Sequence, residues 1–187
     1  QGLDGRYTQL LRDGFPLYGG FSSGLSILQI PPLDLQQFEI IKGSSSTLYG
    51  GGAIAGLINM VSKTPDEEPA LDIMLTQTQA LGSTANVFYS KRNEKVGISL
   101  YGSGHYQKVY DPEDDGFSNL PQTTSISFNP KFFYYPSEET TFWIGLNGTY
   151  DDRIGGDITK IESGENGIHQ YTEENISKRL SSQAAYE

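Results

Sequence analysis

From Ala70 onward the chain alternates apolar and polar residues with a period of two. The clearest run lies around Thr141. There Phe142, Ile144, Leu146, Gly148 and Tyr150 fall on one face, and Trp143, Gly145, Asn147 and Thr149 on the other. Ile126, Phe128, Phe132 and Tyr134 alternate in the same way against Ser127, Asn129 and Lys131. Such a period marks strands with one apolar face. It predicts strands near 70–80, 84–92, 95–110, 123–136, 140–152 and 176–187, running as an antiparallel meander. Short turns at Arg92 to Lys95 and Pro136 to Glu139 contrast with long polar loops at Asp111 to Gln122 and Gly155 to Asn175, while Leu81 to Ser83 breaks the rule. Alternating connection lengths, with aromatics such as Tyr106, Tyr110 and Phe132 to Tyr135 near strand ends, fit a membrane-spanning barrel. A soluble β-sandwich alternates too, and the pattern alone leaves both open.

The first third of the chain is organised differently. A strand is expected from Tyr7 to Leu11, turning back at the hairpin dipeptide Asp13-Gly14. An aromatic, glycine-rich loop, Tyr18 to Gly24, follows. Pro31-Pro32 and Asp34 predict a one-turn helix, Phe38 to Lys42 a strand, Gly43 to Ser46 a turn, and Ala53 to Ser62 a second strand after the run Gly50 to Gly52. Thr64 to Pro69 is charged, flanked by prolines and unsuited to a sheet, so it reads as a linker.

Composition supports strands over helices, with 12 Tyr, 9 Phe and 22 Gly among 187 residues. A formal charge of −10 argues against a nucleic-acid partner, which needs a basic footprint. No apolar run reaches the roughly 20 residues of a membrane helix, a measure blind to strands. The absence of a signal peptide at Gln1 implies that the sequence starts inside a longer protein.

Candidate chemistry is sparse. Gly50-x-Gly52-x-x-Ala55 has a dinucleotide-like spacing, but its glycines do not directly follow a strand and no βαβ unit surrounds them. Asp111 to Gly116 loosely resembles a calcium loop, yet Gln122 stands where a bidentate Glu is needed, so it reads as a solvated acidic loop. The two histidines, His105 and His169, lie on different elements without further ligands at metal spacing. No nucleophile, base and orienting group assemble into a catalytic set, so the chain reads as a non-enzyme without cofactor or metal.

The tract from Ile30 to Pro65, IPPLDLQQFEIIKGSSSTLYGGGAIAGLINMVSKTP, resembles the plug domain of TonB-dependent outer-membrane receptors. That plug typically reads I-P-P, I-E-V-L-R-G, L-Y-G and G-A-I-G-G-V-I-N-I in this order. Upstream, Gly2-Leu3 and Leu11 to Tyr18 are similar to the family's R-G and L-I-D-G-V-P-L-Y segments. The resemblance covers about a third of the chain. It implies a mostly β fold: the C-terminal part of an α+β plug over 1–64, a linker at 65–69, and over 70–187 the first six strands of a transmembrane barrel of about 22 strands.

It also implies a location in the bacterial outer membrane, contact with its lipid, energy supplied through the TonB complex, and import of a large scarce ligand. That ligand is a ferric siderophore, cobalamin, haem or a glycan, with a surface lipoprotein as a further partner. Asp4, Arg6, Tyr18 and Phe21 correspond to plug apices that meet the ligand. The family's two plug arginines, which pair with glutamates on the barrel wall, are here Gln1 and Lys42, and a lysine offers a point charge where arginine offers a fork. The alternative is a secreted, soluble β-sandwich that binds glycans.

Overall fold

A computed structural model describes residues 8–16, 33–43 and 56–187. The chain divides into two compact units, Gln1–Thr64 and Pro65–Glu187.

The first unit holds a four-stranded sheet of order β2-β1-β4-β3, built from β1 (Thr8–Arg12), β2 (Phe15–Pro16), β3 (Leu35–Lys42) and β4 (Gly56–Ser62). The dipeptide Asp13-Gly14 makes the β1–β2 hairpin, with φ of 49° and 78° at its two positions, as a two-residue turn with both φ positive demands. β1 runs parallel to β4, from Thr8 opposite Gly56 to Arg12 opposite Met60, and β3 pairs antiparallel on the other side of β4. Leu11, Leu57 and Met60 are buried, whereas Phe38, Ile40 and Ile41 on the edge strand are exposed.

Two expectations need correction here. No helix opens at Asp34; residues 33–34 form a turn and β3 begins at Leu35, three residues before the expected Phe38. The reason lies across the sheet. The Asp34 side chain binds Arg12 rather than capping a helix, and the Asp34 carbonyl accepts the Lys63 amide at 2.7 Å, which draws Leu35 into register with Ser62. Among the described residues the first unit contains no helix. The positions expected at 53–55 and in the loop from Tyr18 to Gly24 lie outside the described residues.

The second unit is one six-stranded antiparallel meander, with strands in sequence order across the sheet. It comprises β5 (Ala70–Gln77), β6 (Ser83–Arg92), β7 (Val96–Gln107), β8 (Gln122–Ser137), β9 (Thr140–Gly156) and β10 (Thr172–Tyr186). The sheet is open, with β5 and β10 at its two edges. A sandwich needs a second sheet stacked on the apolar face. Among the described residues of this unit there is none, and Leu75, Phe128 and Leu180 remain 77%, 54% and 82% exposed.

Cross-strand register sorts the side chains. Ile73, Val87, Gly102, Phe128, Gly148 and Leu180 form one row on the apolar face, and Val96, Tyr134, Phe142 and Tyr186 form another nearer the short-turn end. Tyr106 and Tyr150 mark the opposite end. Ten residue steps of β7, from Val96 to Tyr106, rise about 33 Å along the strand. At the roughly 40° tilt of barrel strands this is about 25 Å along a membrane normal, the height of a lipid-facing apolar band. The other face carries Asn86, Ser90, Ser99, Tyr101, Ser125, Asn129, Lys131 and Asp151, most of them buried. At Gly145 a Cβ would sit 3.1 Å from Lys131 Cγ, so the glycine leaves room for the lysine stem to reach across, its Nζ 4.8 Å from the Trp143 ring.

The entry into this sheet is fixed at its short-turn end. The Arg92 amide donates to the Asp66 carbonyl at 2.7 Å, and its guanidinium lies 3.7 Å from the centre of the Tyr135 ring. Gly97 faces Pro65, where a Cβ would come within 2.8 Å of the proline ring.

Candidate functional site

Two clusters stand out, one in each unit. In the small sheet, the Arg12 guanidinium forms an ion pair with Asp34, both side chains more than nine-tenths buried. Asp13 reaches over the hairpin to the end of β4, where its carboxylate accepts the Ser62 amide at 2.8 Å and the Ser62 hydroxyl at 2.9 Å. Arg12 Nε donates to the same hydroxyl at 3.4 Å. Nearby, the Gly14 amide donates to Asn59 Oδ1 at 3.0 Å, and the Asn59 amide nitrogen to Glu39 at 2.8 Å. Four side chains, Arg12, Asp13, Asp34 and Ser62, thus tie together the three sequence segments that make the sheet. No spacing in the sequence announces this network.

In the large sheet, three connections share one edge: 78–82, 108–121 and 157–171. The short 78–82 turn is closed by the Thr78 amide donating to the Gly82 carbonyl at 2.8 Å, with Leu81 at φ 59°. The Gln107 side chain donates from this edge to the carbonyls of Ala80 and Lys108. Within 108–121 the Asp111 carboxylate accepts the amides of Glu113 at 3.1 Å and Gly116 at 2.9 Å, and Tyr110 pairs with Leu120. Asp111 is therefore committed to shaping the loop. Among the described residues, no group of three or more acidic, histidine or cysteine side chains is placed to hold a metal ion.

The 157–171 connection, expected to be irregular, contains α1 (Ile158–Ser163). Asp157 caps it, accepting the Lys160 amide at 3.0 Å, and Gly164 closes it in the left-handed conformation at φ 75°. The same carboxylate accepts the amides of His169 at 2.8 Å and Gln170 at 3.2 Å, and Asp157 is 1% exposed. The Lys160 amide first, then those of His169 and Gln170, hold its carboxyl below the ordinary value against burial, which pushes the other way. Gly167 lies so close that a Cβ there would meet the carboxylate oxygen at 2.1 Å.

The two long loops also meet. The Ser118 amide donates to the Gly156 carbonyl at 2.9 Å, the Gly156 amide to the Ser118 hydroxyl at 2.7 Å, and the Ile158 amide to the Gly116 carbonyl at 3.1 Å. His169 Nε2 donates to the Asp115 carbonyl at 3.0 Å, and its ring stands edge-on to Phe117 with centroids 5.3 Å apart.

Of the residues expected to contact ligand or wall, Asp4, Arg6, Tyr18, Phe21 and Gln1 lie outside the described residues. Lys42 ends β3 opposite Gly56, exposed, and forms no ion pair with a described residue. The chain's own network at Arg12, Asp13, Asp34 and Ser62 and the hub at Asp157 went unrecognised in the sequence. The second carried a usable signal, an Asp157 N-cap followed by Gly164 at the C-terminal end of a one- to two-turn segment.

Residues 1–57 match the family described as TonB-dependent Receptor Plug Domain. The chain is 22% identical over 171 residues to the vitamin B12 transporter BtuB of Photobacterium profundum, covering 87% of this chain and 28% of that protein. It is 26% identical over 154 residues to the ferrichrome outer membrane transporter/phage receptor of Escherichia coli, covering 76% of this chain and 20% of the relative. Among solved structures, the ferric yersiniabactin uptake receptor FyuA of Yersinia pestis superposes with a TM-score of 0.64 at 21% identity, over 80% of this chain and 23% of that one. The chain thus spans between a fifth and three tenths of the length of these proteins. Residues 1–57 carry a TonB-dependent receptor plug sequence, it leads into an open meander with an apolar band on one face, and the chain as a whole is similar to TonB-dependent receptors of the bacterial outer membrane.

Proposed function

We propose that the complete protein is an active-transport receptor, not an enzyme, that binds a large, scarce nutrient outside the cell and imports it with energy delivered through the TonB complex. The observation that carries this reading is the plug-family match at 1–57, followed directly by a sheet with a lipid-height apolar face. The domain boundaries proposed are a plug segment over 1–64, a linker at 65–69 and barrel strands over 70–187. The edge carrying the long loops faces the exterior, as in outer-membrane barrels generally, and the short turns face the periplasm.

Relatives and neighbours are named for vitamin B12, ferrichrome, ferric yersiniabactin and ferric enterobactin. An iron–siderophore complex is the class we favour, with cobalamin next, and haem or a glycan further removed. Asp4, Arg6, Tyr18 and Phe21 are proposed as ligand contacts: aromatic rings suit planar ligand surfaces and Arg6 suits an anionic group. Gln1 and Lys42 are proposed to face the barrel wall, and a surface lipoprotein is proposed as a further partner.

The test is uptake of radiolabelled ferric enterobactin, ferrichrome, ferric yersiniabactin and vitamin B12 by cells expressing the complete gene, with and without TonB. Accumulation of one of the four that disappears without TonB supports the reading. Uptake indifferent to TonB overturns it, and accumulation of none of the four overturns the siderophore and cobalamin classes favoured here.

A further inference from the structure

The two long loops are separated in sequence by the whole β8–β9 hairpin, yet they share a ladder of backbone bonds. Ser118 and Gly156 bond reciprocally, Gly116 accepts from Ile158, Phe117 bridges to Asp157, and His169 donates to Asp115 while packing on Phe117. Every one of the contacts on the 157–171 side involves either Asp157, its immediate neighbours Gly156 and Ile158, or His169, whose amide Asp157 holds.

The backbone at this point has little freedom. Gly156 stands at φ 119°, where a Cβ would lie 2.2 Å from the Tyr171 carbonyl oxygen, and the Asp157 amide donates to that same carbonyl at 2.7 Å. The Asp157 carboxylate then collects three backbone N–H groups from both ends of the 157–171 segment. A buried carboxylate without these donors would be strongly disfavoured, so carboxylate and loop shape are mutually dependent.

We infer that the 108–121 and 157–171 loops form a single interlocked rim keyed by Asp157, which acts as a positioning residue and presents both loops to the ligand as one surface. The inference deepens the receptor reading, since a rim that meets ligand is what that reading requires, but the interlock stands on the loop geometry alone. Asp157 contacts no ligand in this scheme. Its carboxylate sets the position of His169 and of the Gly156–Ile158 edge, and these in turn hold residues 115–118 of the other loop. One consequence is that a perturbation at residue 157 loosens residues in the 108–121 loop. Another is that the loops need not part during function.

The experiment uses the complete receptor in detergent and follows backbone hydrogen exchange, with no substrate present, so its outcome is independent of whether the transport reading holds. Asp157→Asn keeps the size of the side chain but removes its charge, and is expected to raise exchange at Ser118 on the order of tenfold, the scale of one or two weakened hydrogen bonds. Ser163→Ala, which removes a hydroxyl bond to Thr159 within α1, is expected to leave Ser118 unchanged. A Ser118→Cys/Gly155→Cys pair supplies a bypass: a Cβ at residue 155 would lie 3.3 Å from Ser118 Oγ, and residues 1–187 contain no cysteine that could compete. Oxidised in the Asp157→Asn background, the pair is expected to restore protection around Ser118. Three results overturn the inference. These are unchanged exchange at Ser118 in Asp157→Asn, an equal rise in Ser163→Ala, or failure of the cysteine pair to oxidise in the folded wild-type background.

Discussion

Replacing Arg12 removes one half of a buried ion pair and leaves the Asp34 carboxylate where water does not reach it; both side chains are less than 10% exposed. The gain from an intact buried pair is modest, because desolvation offsets much of the attraction, but breaking one costs about 3–5 kcal/mol. Arg12 also donates to Ser62, whose hydroxyl and amide are held by Asp13, so the loss spreads to the end of β4. At about 1.4 kcal/mol per factor of ten, the opening of the small sheet should become on the order of a hundred to a few thousand times more frequent in Arg12→Met. Hydrogen exchange of the β1 and β4 amides in the complete receptor reads this directly, since β1 pairs with β4 along its whole length from Thr8 to Arg12. Asp34→Leu should behave similarly, and the double variant Arg12→Met/Asp34→Leu should recover most of the protection, because the buried pair is then removed whole rather than halved. Single variants that change exchange by less than about tenfold, or a double variant no better than either, would refute the view that the pair closes the sheet.

Other perturbations have equally definite outcomes. Phe128→Lys, in the middle row of the apolar face, should destabilise the refolded receptor by about 2–4 kcal/mol in lipid vesicles, whereas Tyr134→Lys near the girdle should cost about 0–1 kcal/mol; equal costs would contradict the depth assignment. Because the Asp157 carboxyl is held below the ordinary aspartate value, its contribution is fully present above that value, near about 3.9, and is lost as pH falls through the lower folded value. Protection of the 157–171 amides should fall on acidification in the wild type, and this fall should be absent in Asp157→Asn. Gly156→Ala forces a Cβ against the Tyr171 backbone at a φ of 119°, so about 1–3 kcal/mol of local stability should go, seen as faster exchange at Asp157 and Thr172.

The strands of the large sheet were legible because alternation is written residue by residue. Observed boundaries such as Gln122–Ser137 and Thr140–Gly156 lie within about four residues of those expected from Ile126, Phe128 and the Phe142 to Tyr150 run. Asp13-Gly14 was legible for the same local reason: two positions needing positive φ are filled by residues that tolerate it. Asp34 was misread because its local context, two prolines followed by a carboxylate, is that of a helix start. A guanidinium 22 residues away decided otherwise. Long-range pairs of this kind leave no periodic trace. The meeting of the two long loops was hidden similarly, since Ser118 and Gly156 are 38 residues apart and meet through one backbone–backbone bond and one to the Ser118 hydroxyl. The cap of α1 at Asp157 was readable, but a short helix inside a polar stretch is outweighed by the turn-forming residues around it.

The central claim is that one face of the six-stranded sheet meets lipid and the other does not. Its most direct measurement is a spin-label accessibility scan along β9 in the complete receptor, reconstituted in vesicles, with single cysteines from Phe142 to Tyr150. Collision with oxygen, which concentrates in lipid, should peak at residues 142, 144, 146 and 148 and drop at 143, 145, 147 and 149, following the alternation of exposed and buried positions from 142 to 146 and the cross-strand register beyond it. Uniform access to a water-soluble relaxing agent at all nine positions, with no period of two, would contradict the account.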